Sequence, residues 1–117
     1  MASLVFRWVR HIVAGSKGLW LFMRKGYGYD FVILLGLALV LSWWFGASRL
    51  GIVVVGLMGV LTLAAEMFNG AVERVCDLVQ PDIDPRVKVI KDLSCGGVLA
   101  VGFVFVIVTV CVCCLRL

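Results

Sequence analysis

Charged residues are scarce in this sequence, and acidic residues are scarcer than basic ones. Only 15% of the 117 residues are charged, whereas 63% are hydrophobic. A soluble domain of this length has too little interior to bury so much apolar surface. The composition therefore excludes an ordinary soluble domain. It predicts a single integral membrane domain over residues 1–117, for which lipid provides much of the solvent.

Two common phosphate-binding patterns are also missing. The sequence has no GxxxxGK[ST] loop and no protein-kinase signature. Any phosphate binding must then come from basic side chains and a metal ion. An apolar stretch followed by a small-residue cleavage site is also lacking, so we expect no cleavable signal peptide. We expect no nucleic-acid partner, because basic residues beside a membrane are better explained by lipid head groups.

Long uncharged stretches predict the membrane-spanning helices. Residues 31–48, 50–65 and 93–115 contain no charged residue, and about 20 helical residues cross a hydrocarbon core. We predict an all-α fold with three transmembrane helices at 31–48, 50–79 and 85–115. The second reaches spanning length only by continuing through Glu66 and Glu73. Pro81 ends it, and Asp84-Pro85 supplies the N-cap and first residue of the third.

The N-terminal segment 1–25 has five basic residues and no acidic residue. Apolar residues alternate with the basic ones, which is typical of an amphipathic helix lying on the membrane surface. The alternative is simple positive flanking of the first spanning helix. Residues 26–30 contain two glycines and two tyrosines, and we interpret them as a hinge.

The distribution of lysine and arginine predicts the orientation in the membrane. Segment 74–91 has four basic residues, whereas the other loop and the C-terminus have one each. The positive-inside rule then places the N-terminus and segment 74–91 in the cytoplasm and the C-terminus outside.

Three carboxylates and one amide share a stripe on the second predicted spanning helix. With about 100° per residue, Glu73 and Asp77 lie within about 20° of Glu66, and Asn69 lies about 60° away. Clustered carboxylates near a membrane repel one another unless a cation neutralises them. Mg²⁺ binds one or two carboxylates together with phosphate and water oxygens. The alternative is a solvated acidic face.

The stripe and the head of the next helix resemble the prokaryotic diacylglycerol kinase and undecaprenol kinase family. The matching pattern is Glu66-x-x-Asn69-x-Ala71-x-Glu73-x-x-x-Asp77, followed after a loop by Lys91-Asp92. The resemblance covers nearly the whole chain. It implies a small homotrimeric kinase of a bacterial-type inner (cytoplasmic) membrane. Such an enzyme uses Mg²⁺ and ATP to phosphorylate a lipid alcohol, either diacylglycerol or undecaprenol.

The resemblance also implies roles for individual residues. Glu66 would be the general base on the lipid hydroxyl, Asn69 would position the reacting groups, and Glu73 would bind Mg²⁺. The residues expected along ATP are Arg7, Asp77, Asp82, Asp84, Lys91 and Asp92. The residues that we expect beside the lipid substrate are Trp44 and Cys95.

One position departs from the family pattern. Gly26 stands where the family has a second metal-binding glutamate, and Asp30 is the nearest carboxylate. Two other functions remain open from the sequence. One is a non-enzymatic membrane assembly or pore protein. The other is a proton-coupled transporter subunit that uses Glu66 as a proton relay.

Overall fold

Four α-helices make up the computed structural model, which describes residues 2–24 and 27–117. They are α1 (Ala2–Arg24), α2 (Tyr27–Trp44), α3 (Arg49–Val79) and α4 (Pro85–Leu115). Within these two ranges there is no β-strand, so the all-α prediction is confirmed.

Helices α3 and α4 are long and apolar enough to cross a membrane. A third crossing is counted only if α1 and α2, whose axes meet at 94°, form one bent span. The surface position of α1 and a separate crossing by α2 therefore stay predictions. With 31 residues each, α3 and α4 are about 46 Å long, about 16 Å longer than the hydrocarbon core. Part of each helix must therefore lie outside the hydrocarbon.

The bounds of α2 differ from the prediction. Residues 27–30, expected in the hinge, are helical, and α2 ends at Trp44, before the end of the uncharged stretch at Ser48. Asp30 lies in the first turn of α2, where a carboxylate interacts favourably with the helix N-terminus. Gly46 has a φ of 77°. Because glycine adopts this left-handed conformation without a steric penalty, the helix ends there.

The connection between α3 and α4 follows local sequence rules. The N–H of Gln80 donates to the carbonyl of Cys76 at 2.9 Å as α3 ends. Asp84 caps α4, its carboxylate accepting a hydrogen bond from the N–H of Arg86 at 2.8 Å, and Pro85 is the first helical residue. Both helices begin and end within one residue of the ranges 50–79 and 85–115.

Helices α3 and α4 run antiparallel, and α2 packs beside them. The N–H of Ser48 donates to the carbonyl of Leu117 at 2.8 Å, so the end of α4 meets the start of α3. A small apolar core forms between the helices around Ala38, Val55, Phe105 and Val112. The bundle thus has two ends. We call the end with residues 45–48 the turn end and the end with residues 80–84 the loop end.

Candidate active site

A polar cavity of about 300 Å³ lies along the loop-end half of α3. Six residues of its wall come from α3, namely the four stripe residues Glu66, Asn69, Glu73 and Asp77 together with Gly70 and Arg74. The seventh is Phe22 of α1. The helical period brings the stripe residues to one side of α3, and Phe22 of α1 completes the wall beside them. The structure therefore gathers Glu66, Asn69, Glu73 and Asp77 around one space.

Asn69 and Glu73 are directly associated within this polar cavity. The side-chain amide nitrogen Nδ2 of Asn69 donates to Oε1 of Glu73 at 3.4 Å. The amide oxygen Oδ1 of Asn69 is buried and accepts no hydrogen bond from the described part of the chain. A buried oxygen without a donor is costly. Its position therefore suits a ligand that offers a donor or a cation.

The oxygen atoms of the polar cavity fit Mg²⁺. Glu73 supplies a carboxylate and Asn69 supplies the buried amide oxygen, and Mg²⁺ prefers oxygen ligands. Among residues 2–24 and 27–117, no group of three or more histidine, cysteine, aspartate or glutamate side chains is arranged to hold a metal ion. Phosphate and water oxygens would have to complete the coordination, as they do in many nucleotide sites.

Lys91 and Asp92 each form an ion pair at the loop end. The ammonium group of Lys91 binds the carboxylate of Asp77 at 2.6 Å, joining α4 to α3. Asp92 binds Lys88 at 2.8 Å, one helical turn earlier on α4. Neither Lys91 nor Asp92 is part of the polar-cavity wall. Lys91 thus reaches the site through Asp77, and its contact with phosphate stays a prediction.

The two loop aspartates have separate environments. The guanidinium of Arg86 bonds to the carboxylate of Asp84 at 2.8 Å. This hydrogen bond, together with the one from the Arg86 backbone, lowers the pKa of Asp84 below its usual value. Asp82 is exposed. Both aspartates lie outside the polar-cavity wall, and their expected contact with ATP stays a prediction.

A second space, an apolar groove of about 640 Å³, also has Glu66 in its wall. It runs between α2, α3 and α4, and its wall contains Phe31, Leu34, Thr62, Glu66, Val98, Leu99, Ala100, Gly102, Phe103 and Val106. Glu66 lines both the polar cavity and the apolar groove. A single carboxylate therefore stands where a polar space and an apolar space meet.

Other predicted site residues lie away from this junction. Arg7 is 15 positions before Phe22 on α1, about 22 Å along the helix. Trp44 ends α2 at the turn end and is 77% exposed, whereas Glu66 lies about 25 Å along α3 from that end. Cys95 is exposed on α4, one turn before Val98 of the groove.

Gly26 and Asp30 are the two positions that concern the second metal ligand. Gly26 lies outside the described residues. Asp30 is exposed in the first turn of α2 and is not among the residues lining the polar cavity. Replacement of the missing glutamate by Asp30 stays a prediction.

Three residues of the cavity wall, Phe22, Gly70 and Arg74, had no role in the sequence analysis. Phe22 comes from α1, and nothing in the local pattern shows that this helix folds back onto α3. Arg74 lies about 80° from Glu66 on α3, at the edge of the stripe. This angular position is a signal by which the sequence could have placed Arg74 in the wall. The alternative of a solvated acidic face treats the same part of α3 as exposed surface.

The family model described as Prokaryotic diacylglycerol kinase matches residues 15–113. This range includes every residue that lines the polar cavity or the apolar groove, and it leaves out Arg7. No curated protein and no solved structure matches the chain.

Proposed function

The chain belongs to the prokaryotic diacylglycerol kinase family, and we propose that it transfers the γ-phosphate of ATP to the hydroxyl group of a membrane lipid alcohol. The position of Glu66 carries this proposal, because its carboxylate lines both the polar cavity and the apolar groove. A lipid kinase needs such a junction, since one substrate is a polyanion and the other is largely hydrocarbon.

In the proposed reaction, Glu66 accepts the proton of the lipid hydroxyl as its oxygen bonds to the γ-phosphorus of ATP. The bond between that phosphorus and the bridging oxygen breaks, and ADP leaves. Asn69 and Glu73 orient the phosphate end of ATP within the polar cavity. Mg²⁺ held by Glu73 and the Asn69 oxygen would neutralise charge on the phosphates. Phosphoryl transfer depends mainly on such positioning and neutralisation.

The lipid chain is assigned to the apolar groove. The wall of the groove comes from α2, α3 and α4, and in this proposal the lipid enters it sideways from the bilayer. Phe31, Phe103 and Val106 present only hydrocarbon to an occupant. Such a wall suits an acyl chain and a prenyl chain equally. Both diacylglycerol and undecaprenol are therefore proposed substrates.

The remaining ATP contacts are proposed for residues outside one protomer's cavity wall. A volume of about 300 Å³ is at the lower limit for ligand sites, which favours phosphates over a whole nucleotide. Arg7, Asp82 and Asp84 would contribute from the surroundings, in a homotrimer with sites between subunits. In this proposal the loop end and the N-terminus face the cytoplasm, the source of ATP.

Transfer of labelled phosphate tests the proposal. Protein purified in detergent micelles is given γ-labelled Mg-ATP with diacylglycerol or undecaprenol in separate reactions. Glu66→Gln is the test variant. Arg49→Gln, at the opposite end of α3, is the matched control, and circular dichroism verifies folding of each variant. Label on a lipid with wild type and Arg49→Gln, lost with Glu66→Gln, supports the proposal. Folded wild-type protein that labels neither lipid contradicts it.

A further inference from the structure

We propose that Arg74 is a phosphate-binding residue of this chain, contacting the triphosphate of the nucleotide in the polar cavity. The inference rests on the proposed function and adds a residue to it. Arg74 is the one basic residue among the described residues that line this cavity, where it stands beside three carboxylates. A polyanion entering such a space needs a cation on the wall.

The ion pair of Lys91 explains why Arg74 is available. On an isolated helix, Asp77 would be the natural partner of Arg74, because residues three positions apart are neighbours. The structure instead pairs Asp77 with Lys91 of α4 at 2.6 Å. In residues 2–24 and 27–117, no carboxylate oxygen lies within 4.0 Å of Arg74 as an ion-pair partner. Lys91 therefore occupies the carboxylate that would otherwise hold Arg74.

Arg74 also has space to move. A cleft of about 190 Å³ between α1 and α3 adjoins the polar cavity. Phe22, Gly70 and Arg74 line both spaces. Gly70 has no side chain, and a methyl group added there would meet nothing within 4 Å. Arg74 therefore borders two connected spaces, and Gly70 between them contributes no side chain that would fill either one.

The position of Arg74 favours the nucleotide over the phosphorylated lipid. Arg74 is not among the residues lining the apolar groove, whereas Glu66 lines both spaces. The lipid hydroxyl arrives from the groove, whereas Arg74 faces the space with Glu73. A guanidinium also presents paired N–H donors that match two phosphate oxygens, which a lysine ammonium cannot do. This geometry points to the β- and γ-phosphates.

Direct binding measurements test the inference without requiring turnover. Calorimetry on protein in micelles measures binding of Mg²⁺ with the β,γ-methylene analogue of ATP, and separately of inorganic tripolyphosphate. Arg74→Gln is expected to weaken both ligands by about tenfold or more, because a hydrogen bond to a charged group is lost. Arg49→Gln, which changes the same residue type at the other end of α3, should bind both like wild type.

The affinity for adenosine, which carries no phosphate, distinguishes a phosphate contact from a purely structural role of Arg74. A distorted site would weaken adenosine and the triphosphate together, whereas loss of a phosphate contact affects only the ligands that carry phosphates. Arg74→Lys should bind tripolyphosphate better than Arg74→Gln and several-fold more weakly than wild type. If Arg74→Gln does not fold, Arg74→Lys decides, and wild-type affinity in that variant overturns the inference.

The outcomes separate this inference from the proposed function. Equal triphosphate affinity in Arg74→Gln and Arg49→Gln overturns the role of Arg74, whatever the labelled-phosphate assay gives. Absence of triphosphate binding by wild type overturns it too. Selective weakening in Arg74→Gln, in a protein that labels neither lipid, contradicts the lipid kinase proposal and retains Arg74 as a polyphosphate-binding residue.

Discussion

Substitution of Glu66 should slow the chemical step without weakening ATP binding. The general-base role predicts that Glu66→Gln lowers kcat by about 10²- to 10⁴-fold. Glu66→Asp keeps the charge but withdraws the carboxylate by one carbon–carbon bond, about 1.5 Å. Since a misplacement of about 1 Å can cost about 100-fold, Glu66→Asp should also be strongly impaired.

The expected change in ATP affinity follows from the geometry of α3. Glu66 is seven residues from Glu73, about 10 Å along the axis. Across about 10 Å, two like unit charges repel by about 0.4 kcal/mol in water and about 1.7 kcal/mol at an effective dielectric constant of 20. Removing the Glu66 charge should therefore strengthen the binding of anionic Mg-ATP by a factor between about 2 and about 20 per unit charge.

Single-turnover transfer of labelled phosphate, together with calorimetry using the ATP analogue, measures the two effects separately. Lower kcat with equal or tighter analogue binding is the expected pattern for Glu66→Gln. The reasoning is refuted by the reverse pattern, in which Glu66→Gln binds the analogue more weakly and retains kcat within tenfold of wild type. That result would assign Glu66 to nucleotide binding.

Three further predictions concern the groove, the helix packing and the loop. Ala100→Phe should fill the apolar groove and raise the KM for lipid by about tenfold or more, with the KM for ATP unchanged. Steady-state kinetics measures both values, and an equal rise of the two KM values would contradict the prediction. Gly59→Leu places a side chain against Leu35 and should lower the free energy of unfolding by about 1–3 kcal/mol. Denaturation in micelles measures this change. A variant as stable as wild type would refute the close packing of Gly59 and Leu35. Because the pKa of Asp84 is lowered, its ion pair with Arg86 stabilises the fold fully at pH values above the ordinary carboxyl pKa of 3.8. This stabilisation is lost as the pH falls through the lower pKa of the folded state. Asp84→Asn keeps a capping residue but has no charge to lose. Between pH 5 and pH 2 the thermal midpoint of this variant should therefore fall less than that of wild type. Equal falls of the two thermal midpoints would exclude the contribution of the ion pair.

Much of the site on α3 could be predicted because one helix supplies it. Glu66, Asn69, Glu73 and Asp77 line one cavity, as the helical period alone requires. The N-cap of α4 could also be predicted from the sequence, since Asp84-Pro85 is a local signal for the start of a helix. Such features depend on backbone geometry and on neighbours within a few positions.

The ends of α2 differ from the ends of the uncharged stretch for local reasons. Uncharged residues continue to Ser48, but α2 ends at Trp44, just before the left-handed conformation of Gly46. At the other end, the glycines and tyrosines before Phe31 favoured a hinge, yet the helix begins at Tyr27. Hydrophobicity shows which residues prefer lipid, and it sets helix ends only approximately.

By itself, the sequence determined a helical membrane chain with a polar stripe on α3, because composition and helical period act along a single helix. The tertiary structure decided which residues meet across helices. It brought Phe22 of α1 to the wall that holds the stripe, joined Lys91 to Asp77, and made Glu66 part of both a polar and an apolar wall. These contacts depend on the rotation and separation of packed helices. Those follow from the fit of many side chains, such as Gly59 against Leu35, and no local pattern encodes them.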